Sequence, residues 1–178
     1  MRRQFLIAFY RALGAGIAIG AMEILAVLAR EPMVRVPFVT SIVLVMALPD
    51  SEPAQPRAII GGHLMACLAG YITLLVLPAG ESASALAVGL STLIMIGTRT
   101  LHPPAGIDAF LVASYGLPLD WVLNPVLIGA LLLTAFGATW RAIERRLFTP
   151  GDRKAAPQLW NLERIRALAL KRPWQAPP

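Results

Sequence analysis

The stretch that decides the fold is FLIAFYRALGAGIAIGAMEILAVL, residues 5–28, an almost unbroken apolar run. Two further runs of this kind follow at residues 58–77 and 121–140. Each has the roughly 20 residues that a helix needs to cross a hydrocarbon core about 30 Å thick. We therefore predict an all-α fold, a polytopic bundle of transmembrane helices in contact with the lipid bilayer.

The composition and the motifs argue against a soluble enzyme. Of the 178 residues, 57% are hydrophobic and only 15% are charged, whereas a soluble domain carries about 25% charged residues. The sequence has no CxxC, HExxH, GxSxG or P-loop pattern, and its single cysteine, Cys67, lies inside an apolar run. We expect no enzymatic activity, and hence no catalytic residues, resident cofactor or metal site.

The apolar sequence divides into six segments, which are residues 5–28, 37–48, 58–77, 82–97, 105–115 and 121–143. The second and fifth segments are too short to cross the membrane comfortably as straight helices. They are interpreted as short spans, re-entrant pieces or halves of broken helices. If both cross, both termini are cytoplasmic; if only one crosses, the N-terminus lies on the opposite side.

The basic residues are concentrated at the C-terminus. Residues 141–178 hold nine Lys or Arg against three acidic residues, which accounts for the whole net charge of +6. Such a segment directly after a membrane helix is typical of the cytoplasmic side. We predict a transmembrane domain at residues 1–147 and a basic cytoplasmic tail at residues 148–178 of an inner-membrane protein.

Apolar residues recur every three positions in the tail, at Leu159, Leu162, Ile165 and Leu168. This pattern predicts an amphipathic helix that lies on anionic lipids or packs against the bundle or a partner subunit. We expect no binding to nucleic acid, because the basic residues follow a membrane span.

Two proline-rich breaks interrupt the bundle, at residues 49–57 and 98–104. Two full crossings separate them, so both breaks face the same side of the membrane. Each contains an arginine, Arg57 or Arg99, and has a histidine nearby, His63 or His102. The similarity suggests a duplicated hairpin.

These breaks are the candidate functional site. Interrupted helices in corresponding positions are the usual sequence indication of a transport site. A helix follows each break, and helix N-termini with arginine side chains favour a small anion. Alternatively, Arg57 and Arg99 extend to lipid headgroups and the breaks are ordinary loops. His63 and His102 are predicted to be polar or proton-linked helpers, or to make structural hydrogen bonds.

Three further ionisable residues lie within apolar segments. Arg11 and Glu23 are about 18 Å apart on one helix and cannot pair with each other, so each needs another partner or an interface. Glu23 is also a candidate for lining a pathway. Asp108 is expected in the first turn of the fifth segment, where its charge would stabilise the helix start.

The second break and the residues after it, from Thr98 to Gly106, resemble the signature of the HPP family of integral membrane proteins. Residues 54–57 with 61–63, and residues 124–130, resemble other shared stretches of that family. The resemblance implies about four membrane helices and a transporter or channel for a small anion, with nitrite implicated for plastid and cyanobacterial relatives. Ile107-Asp108 departs from the small neutral residues typical there, which weakens the case for nitrite.

The main functional prediction is therefore a membrane transporter or channel for a small solute, an inorganic anion such as nitrite. The alternative is a non-transporting sensor or anchor that docks a partner through its basic tail. Glycine-rich faces such as Gly14, Gly16 and Gly20 permit close packing within one chain or in a homo-oligomer. The predicted substrate-binding residues are Arg57, His63, Arg99, Thr100, His102, Pro103, Pro104, Ala105 and Gly106.

Overall fold

The computed structural model describes residues 2–29 and 37–148, and these residues form an all-helical bundle without strands. Six α-helices follow one another: α1 Arg2–Ala29, α2 Val39–Ala47, α3 Pro56–Leu74, α4 Glu81–Gly97, α5 Gly106–Tyr115 and α6 Ile128–Phe148. Short 3-10 turns at Glu52–Ala54 and Pro103–Ala105 precede α3 and α5. The predicted tail helix lies outside the described residues.

Three helical stretches are long and apolar enough to cross a membrane, Arg2–Leu28, Pro56–Leu74 and Leu119–Phe148. Helix α4 has 17 residues and is also apolar. Helices α2 and α5 have 9 and 10 residues, which gives each a length of only about 15 Å at 1.5 Å per residue. The two short segments of this multi-pass membrane protein are therefore short helices in the structure, as the sequence predicted.

The last predicted span is not one straight helix. The chain is helical in irregular short turns from Leu119 to Leu127, and Asn124 has a non-helical backbone (φ −136°, ψ 112°). Pro125 follows directly and can donate no backbone hydrogen bond. The regular helix α6 begins only at Ile128, seven residues later than the sequence segment predicted.

One half of the bundle contains α1, α2 and α6. Arg3 Nη2 donates to the Phe148 carbonyl at 2.5 Å, and the Arg11 guanidinium pairs with Glu144 at 2.7 Å. Helices α1 and α6 are thus antiparallel, and Arg11 has the partner on another helix that the sequence required. A buried apolar cluster that includes Phe38, Ile42 and Leu133 fills the interior of this half.

The other half contains α3, α4 and α5, packed through small side chains. Its buried cluster is mostly alanine, and comprises Ala66, Ala83, Ala87, Met95, Ala105, Ala109 and Ala113. Lipid tails are as apolar as the side chains, so membrane helices associate mainly through close van der Waals packing. Small residues allow this close approach. The Cβ of an alanine at Gly70 would lie 2.8 Å from the Val112 side chain, so α3 and α5 need glycine here.

Both breaks lie at one end of the bundle. Arg141 at the end of α6 pairs with Asp50 in the first break, and the Arg57 Nη2 donates to the Thr98 carbonyl at 2.7 Å. We call this end the break end. At the opposite end, the Gly80 amide donates to the Ala113 carbonyl at 3.0 Å.

Candidate functional site

The second break descends into the bundle beside α3. Helix α4 is about 26 Å long, whereas α5, which returns beside it, is about 15 Å long. The residues between the two helices, which include the 3-10 turn at Pro103–Ala105, span the remaining depth of roughly 10 Å. His63, the eighth residue of α3, is likewise about 10 Å from the helix start. The second break therefore reaches the depth of His63.

Two glycines in α3 make room for this descent. An alanine Cβ at Gly61 would lie 2.5 Å from Thr100 Cγ2, and one at Gly62 would lie 2.6 Å from His102 Cβ and 3.0 Å from the Thr100 carbonyl oxygen. Contacts this short are not tolerated between carbon atoms. Gly61 and Gly62 thus allow the break to lie directly on the helix.

Arg99 ends α4 in an unusual way. The amides of Arg99 and Thr100 donate to the carbonyls of Ile96 and Met95, at 3.2 and 2.9 Å. This is the Schellman pattern of a helix C-terminus, in which the left-handed position is usually glycine. Here Arg99 occupies that position with φ +56°. A non-glycine residue held in this conformation is a mark of functional sites.

A chain of buried polar side chains connects the two breaks inside the bundle. Asp108 Oδ2 lies 2.5 Å from His63 Nδ1, and His63 Nε2 lies 3.2 Å from Ser41 Oγ. Ser41 Oγ lies 2.9 Å from Nε2 of His102, whose Nδ1 donates to the Pro53 carbonyl at 2.7 Å. All four side chains are fully buried, at 0% exposure. We call these four residues the polar chain.

The polar chain joins four separate elements. Ser41 lies on α2, His63 on α3, His102 in the second break and Asp108 in the first turn of α5. The two imidazole rings are 5.1 Å apart between centroids, and Phe38 packs against His63 at 4.9 Å. In a membrane interior, buried ionisable residues indicate function, because each is costly to place there.

A model of the HPP transmembrane region matches residues 1–149. The chain belongs to the HPP family. Two transmembrane proteins of Dictyostelium discoideum are each 36% identical to it over alignments of 105 and 109 residues, with 54% and 55% of this chain covered. The chain covers 36% and 35% of the lengths of these two relatives. No solved structure matches.

The predicted site residues of this HPP domain separate into two groups. His63, Thr100, His102 and Ala105 are buried and form or surround the polar chain. Arg57, Arg99 and Pro103 are exposed, with Pro104 and Gly106 half-buried. Arg57 binds the carbonyl of Thr98, the residue before Arg99, so both arginines lie where the second break meets the surface of the break end. We call this place the rim.

A cleft of about 340 Å³ lies elsewhere at the break end of the HPP domain. It is lined by α2, the first break, the start of α3 and α6, and Arg141 and Arg145 border it, whereas none of its lining residues comes from the second break. Asp50 partly neutralises these two arginines, with its Oδ1 3.6 Å from Arg145 Nη2. The cleft therefore does not join the two breaks.

The sequence did not single out Ser41 and Asp108 as members of one cluster. Asp108 lies in the first turn of α5 as expected, but its carboxylate contacts His63 instead of serving the helix start alone. Ser41 lies in a short apolar segment, and the sequence did not indicate its partners.

The contacts between Asp108, His63 and Ser41 have the order of a Ser–His–Asp triad. A nucleophile must be reached by a substrate, however, and the Ser41 side chain has no exposed surface. The second imidazole, His102, also lies against the hydroxyl. The arrangement suits proton transfer between side chains better than attack on a bound substrate.

Within residues 2–29 and 37–148, no group of three or more His, Cys, Asp or Glu is arranged to hold a metal ion. The polar chain illustrates why. Its two histidines are already engaged through both ring nitrogens, with Asp108, Ser41 and the Pro53 carbonyl. No ring nitrogen is left to bind a metal without breaking one of these contacts.

Proposed function

We propose that this HPP domain transports a small inorganic anion, with nitrite as the first candidate, through the region where the two breaks meet. The observation that supports this most is the pair of arginines at one rim. The Arg57 guanidinium binds the backbone directly before Arg99, above an irregular segment that descends about 10 Å into the bundle. Irregular backbone at membrane depth is tolerated where protein covers it or where it lines a path.

The backbone at Arg99 adds a second argument. The left-handed conformation costs a non-glycine residue roughly 1–2 kcal/mol, and glycine would avoid this cost. The guanidinium is exposed and gains little from burial in return. An arginine that lowers stability at this position is explained if its positive charge binds a ligand.

The distribution of charge gives the proposed orientation. In the part of the chain that the structure describes, the basic residues are all arginines at the break end: Arg2, Arg3, Arg11, Arg57, Arg99, Arg141, Arg145 and Arg146. Glu81 and Asp120 lie at the opposite end. By the positive-inside bias, this distribution supports the proposal that the break end and the C-terminus lie in the cytoplasm, with the domain in an inner membrane.

Flux into proteoliposomes tests the proposal. Purified protein should take up nitrite above protein-free vesicles, and Arg57→Gln and Arg99→Ala should each reduce uptake at least tenfold. Arg146→Ala is the matched control, because Arg146 is an exposed arginine at the same end, and it should leave uptake within twofold.

Unchanged uptake in both Arg57→Gln and Arg99→Ala, with the variants folded, would rule out the rim as the anion determinant. An equal loss in Arg146→Ala would mean that general surface charge, not this pair, attracts the anion. Absence of uptake by the wild-type protein would instead favour the sensor or anchor function, in which the basic tail docks a partner.

A further inference from the structure

The hydrogen-bond geometry of the polar chain fixes how many protons it holds. The Pro53 carbonyl can only accept, so His102 Nδ1 carries a hydrogen. Three more contacts follow along the chain, from His102 Nε2 to Ser41, from Ser41 to His63 Nε2, and from His63 Nδ1 to Asp108. The Ser41 hydroxyl also lies 3.3 Å from the Pro37 carbonyl, beyond the usual range of roughly 2.5–3.0 Å for such a hydrogen bond, so the two imidazoles are its principal partners. Each of the four shorter contacts needs one hydrogen between its two heavy atoms.

Neutral imidazoles and an ionised carboxylate supply one hydrogen too few. Each neutral imidazole brings one, the hydroxyl of Ser41 brings one, and the carboxylate of Asp108 brings none. Without a further proton, one contact would bring two lone pairs together in a fully buried site, which is costly. With one further proton, every contact is satisfied and the four side chains together are electrically neutral.

We infer that Asp108, His63, Ser41 and His102 hold one shared proton, and that this polar chain is the proton-carrying site of the HPP domain. Neutrality matters here, because an uncompensated charge inside a membrane protein is expensive. Asp108 Oδ1, which makes no hydrogen bond, agrees with this inference. An oxygen without a partner costs less on a protonated acid than on a carboxylate.

The shared proton has two arrangements, with Ser41 as the pivot. In the first, His63 Nε2 donates to Ser41, whose hydroxyl donates to His102 Nε2. In the second, the His63 Nε2–H bond is broken and its proton binds the Ser41 oxygen, while the original hydroxyl proton moves to His102 Nε2. Ser41 regains one hydrogen. The hydrogen between Asp108 and His63 then rests on His63 Nδ1, so the transfer leaves His63 neutral, Asp108 ionised and His102 as an imidazolium.

This transfer moves positive charge from the Asp108–His63 pair to the second break. His102 is three residues from Arg99. Thr100, which directly follows Arg99, lies against Gly61 on α3. A charged His102 would strengthen attraction of an anion toward the break, and departure of the anion would favour return of the proton. To move protons across the membrane, the chain must take up a proton from the side where the anion enters and release one on the side where it leaves. On the proposed function, we expect this exchange to carry one proton with each anion.

Few other titratable groups face this chain. Among the described residues, Cys67 is the one further titratable side chain that is fully buried, one turn beyond His63 on α3. Arg57 and Arg99 lie exposed at the rim and stay charged. Helix α2, which contributes Ser41, has no titratable side chain. The proton is therefore expected on the four residues of the polar chain.

Nitrogen-15 NMR of the purified, full-length protein in lipid nanodiscs tests the shared proton without any transport assay. The chain has two histidines, so labelled rings give resolvable signals, and infrared spectroscopy reports on a protonated Asp108. We expect three protons in total on the two rings and the carboxyl group. Two singly protonated rings beside an ionised Asp108 would overturn the inference.

Asp108→Asn is the matched variant. Its amide can donate to His63 Nδ1, so all four contacts stay satisfied without the shared proton, and the fold should be retained. We expect only two ring protons, one of them on His63 Nε2. Three ring protons in this variant would show that the third proton does not depend on the carboxylate, and would also overturn the inference.

A pH-sensitive dye inside proteoliposomes that take up external nitrite tests the coupling to the anion. Wild-type uptake should acidify the lumen by about one proton per anion, after subtraction of protein-free vesicles, which report diffusion of nitrous acid. Asp108→Asn should lower the proton-to-anion ratio at least fivefold. An unchanged ratio would overturn the coupling. Absence of wild-type uptake would refute the proposed transport and its coupling, whereas the NMR result stands independently.

Discussion

Replacing Arg99 by glycine should stabilise the protein while abolishing transport. Arg99 has φ +56° at the end of α4, a conformation that costs an L-residue roughly 1–2 kcal/mol and glycine almost nothing. Its side chain is exposed, so its removal loses little burial. We expect Arg99→Gly to raise the free energy of unfolding by about 1 kcal/mol, since glycine also gains entropy in the unfolded state.

Arg99→Ala separates the two effects. Alanine keeps the left-handed strain but loses the charge, so its stability should stay within about 0.5 kcal/mol of the wild type. Both variants should lose nitrite uptake to the same extent. Stability is measured by thermal unfolding in detergent, followed by the fluorescence of the four tryptophans.

Two results would refute this reasoning. If Arg99→Gly is less stable than Arg99→Ala, the left-handed cap does not exist in the protein. If Arg99→Gly is more stable and still transports at the wild-type rate, the strained arginine has no role in anion transport, and another explanation for its presence is needed.

Three further outcomes follow from the packing and the ion pairs. Gly62→Ala should destabilise the domain by about 1–3 kcal/mol, because its Cβ would overlap the second break, whereas Gly89→Ala on α4, which faces open space, should be neutral or slightly stabilising in the same thermal assay. Ser41 should not react with a fluorophosphonate probe in the folded protein, since it is fully buried; labelling detected by mass spectrometry would revive a hydrolase function. Glu144→Ala should cost about 1–3 kcal/mol, because Arg11 then keeps, among the described residues, only the Ala47 carbonyl as a partner, and Arg11→Leu combined with Glu144→Leu should recover most of that loss.

The fold was largely predictable because the bilayer imposes a length on apolar segments. The predicted segment at residues 82–97 matches α4 within one residue, and Pro103-Pro104 predicted the start of α5 near Ala105. The kink at Asn124 was missed, since a single proline within an apolar run does not show whether a helix bends or restarts.

The site was only half predictable. The breaks and their histidines could be located from proline positions and from the family resemblance. The partnership of Ser41 with Asp108 depends on how α2 and α5 dock on α3, which hydrophobic patterns do not encode for such short helices. The glycines at positions 61 and 62 were the one local signal of close approach beside His63, and they did not specify which residues would lie there.

The short length of α5 has an electrical consequence. A transmembrane voltage falls mainly across low-dielectric material, and a proton crossing all of it gains about 2.3 kcal/mol per 100 mV. Above α5, the second break replaces roughly 10 Å of helix, so the polar chain lies inside this low-dielectric material and not at its surface. The positive charge that shifts between His63 and His102, whose ring centroids are 5.1 Å apart, crosses a small part of this material, and the equilibrium between its two positions should respond to membrane voltage by a fraction of that energy.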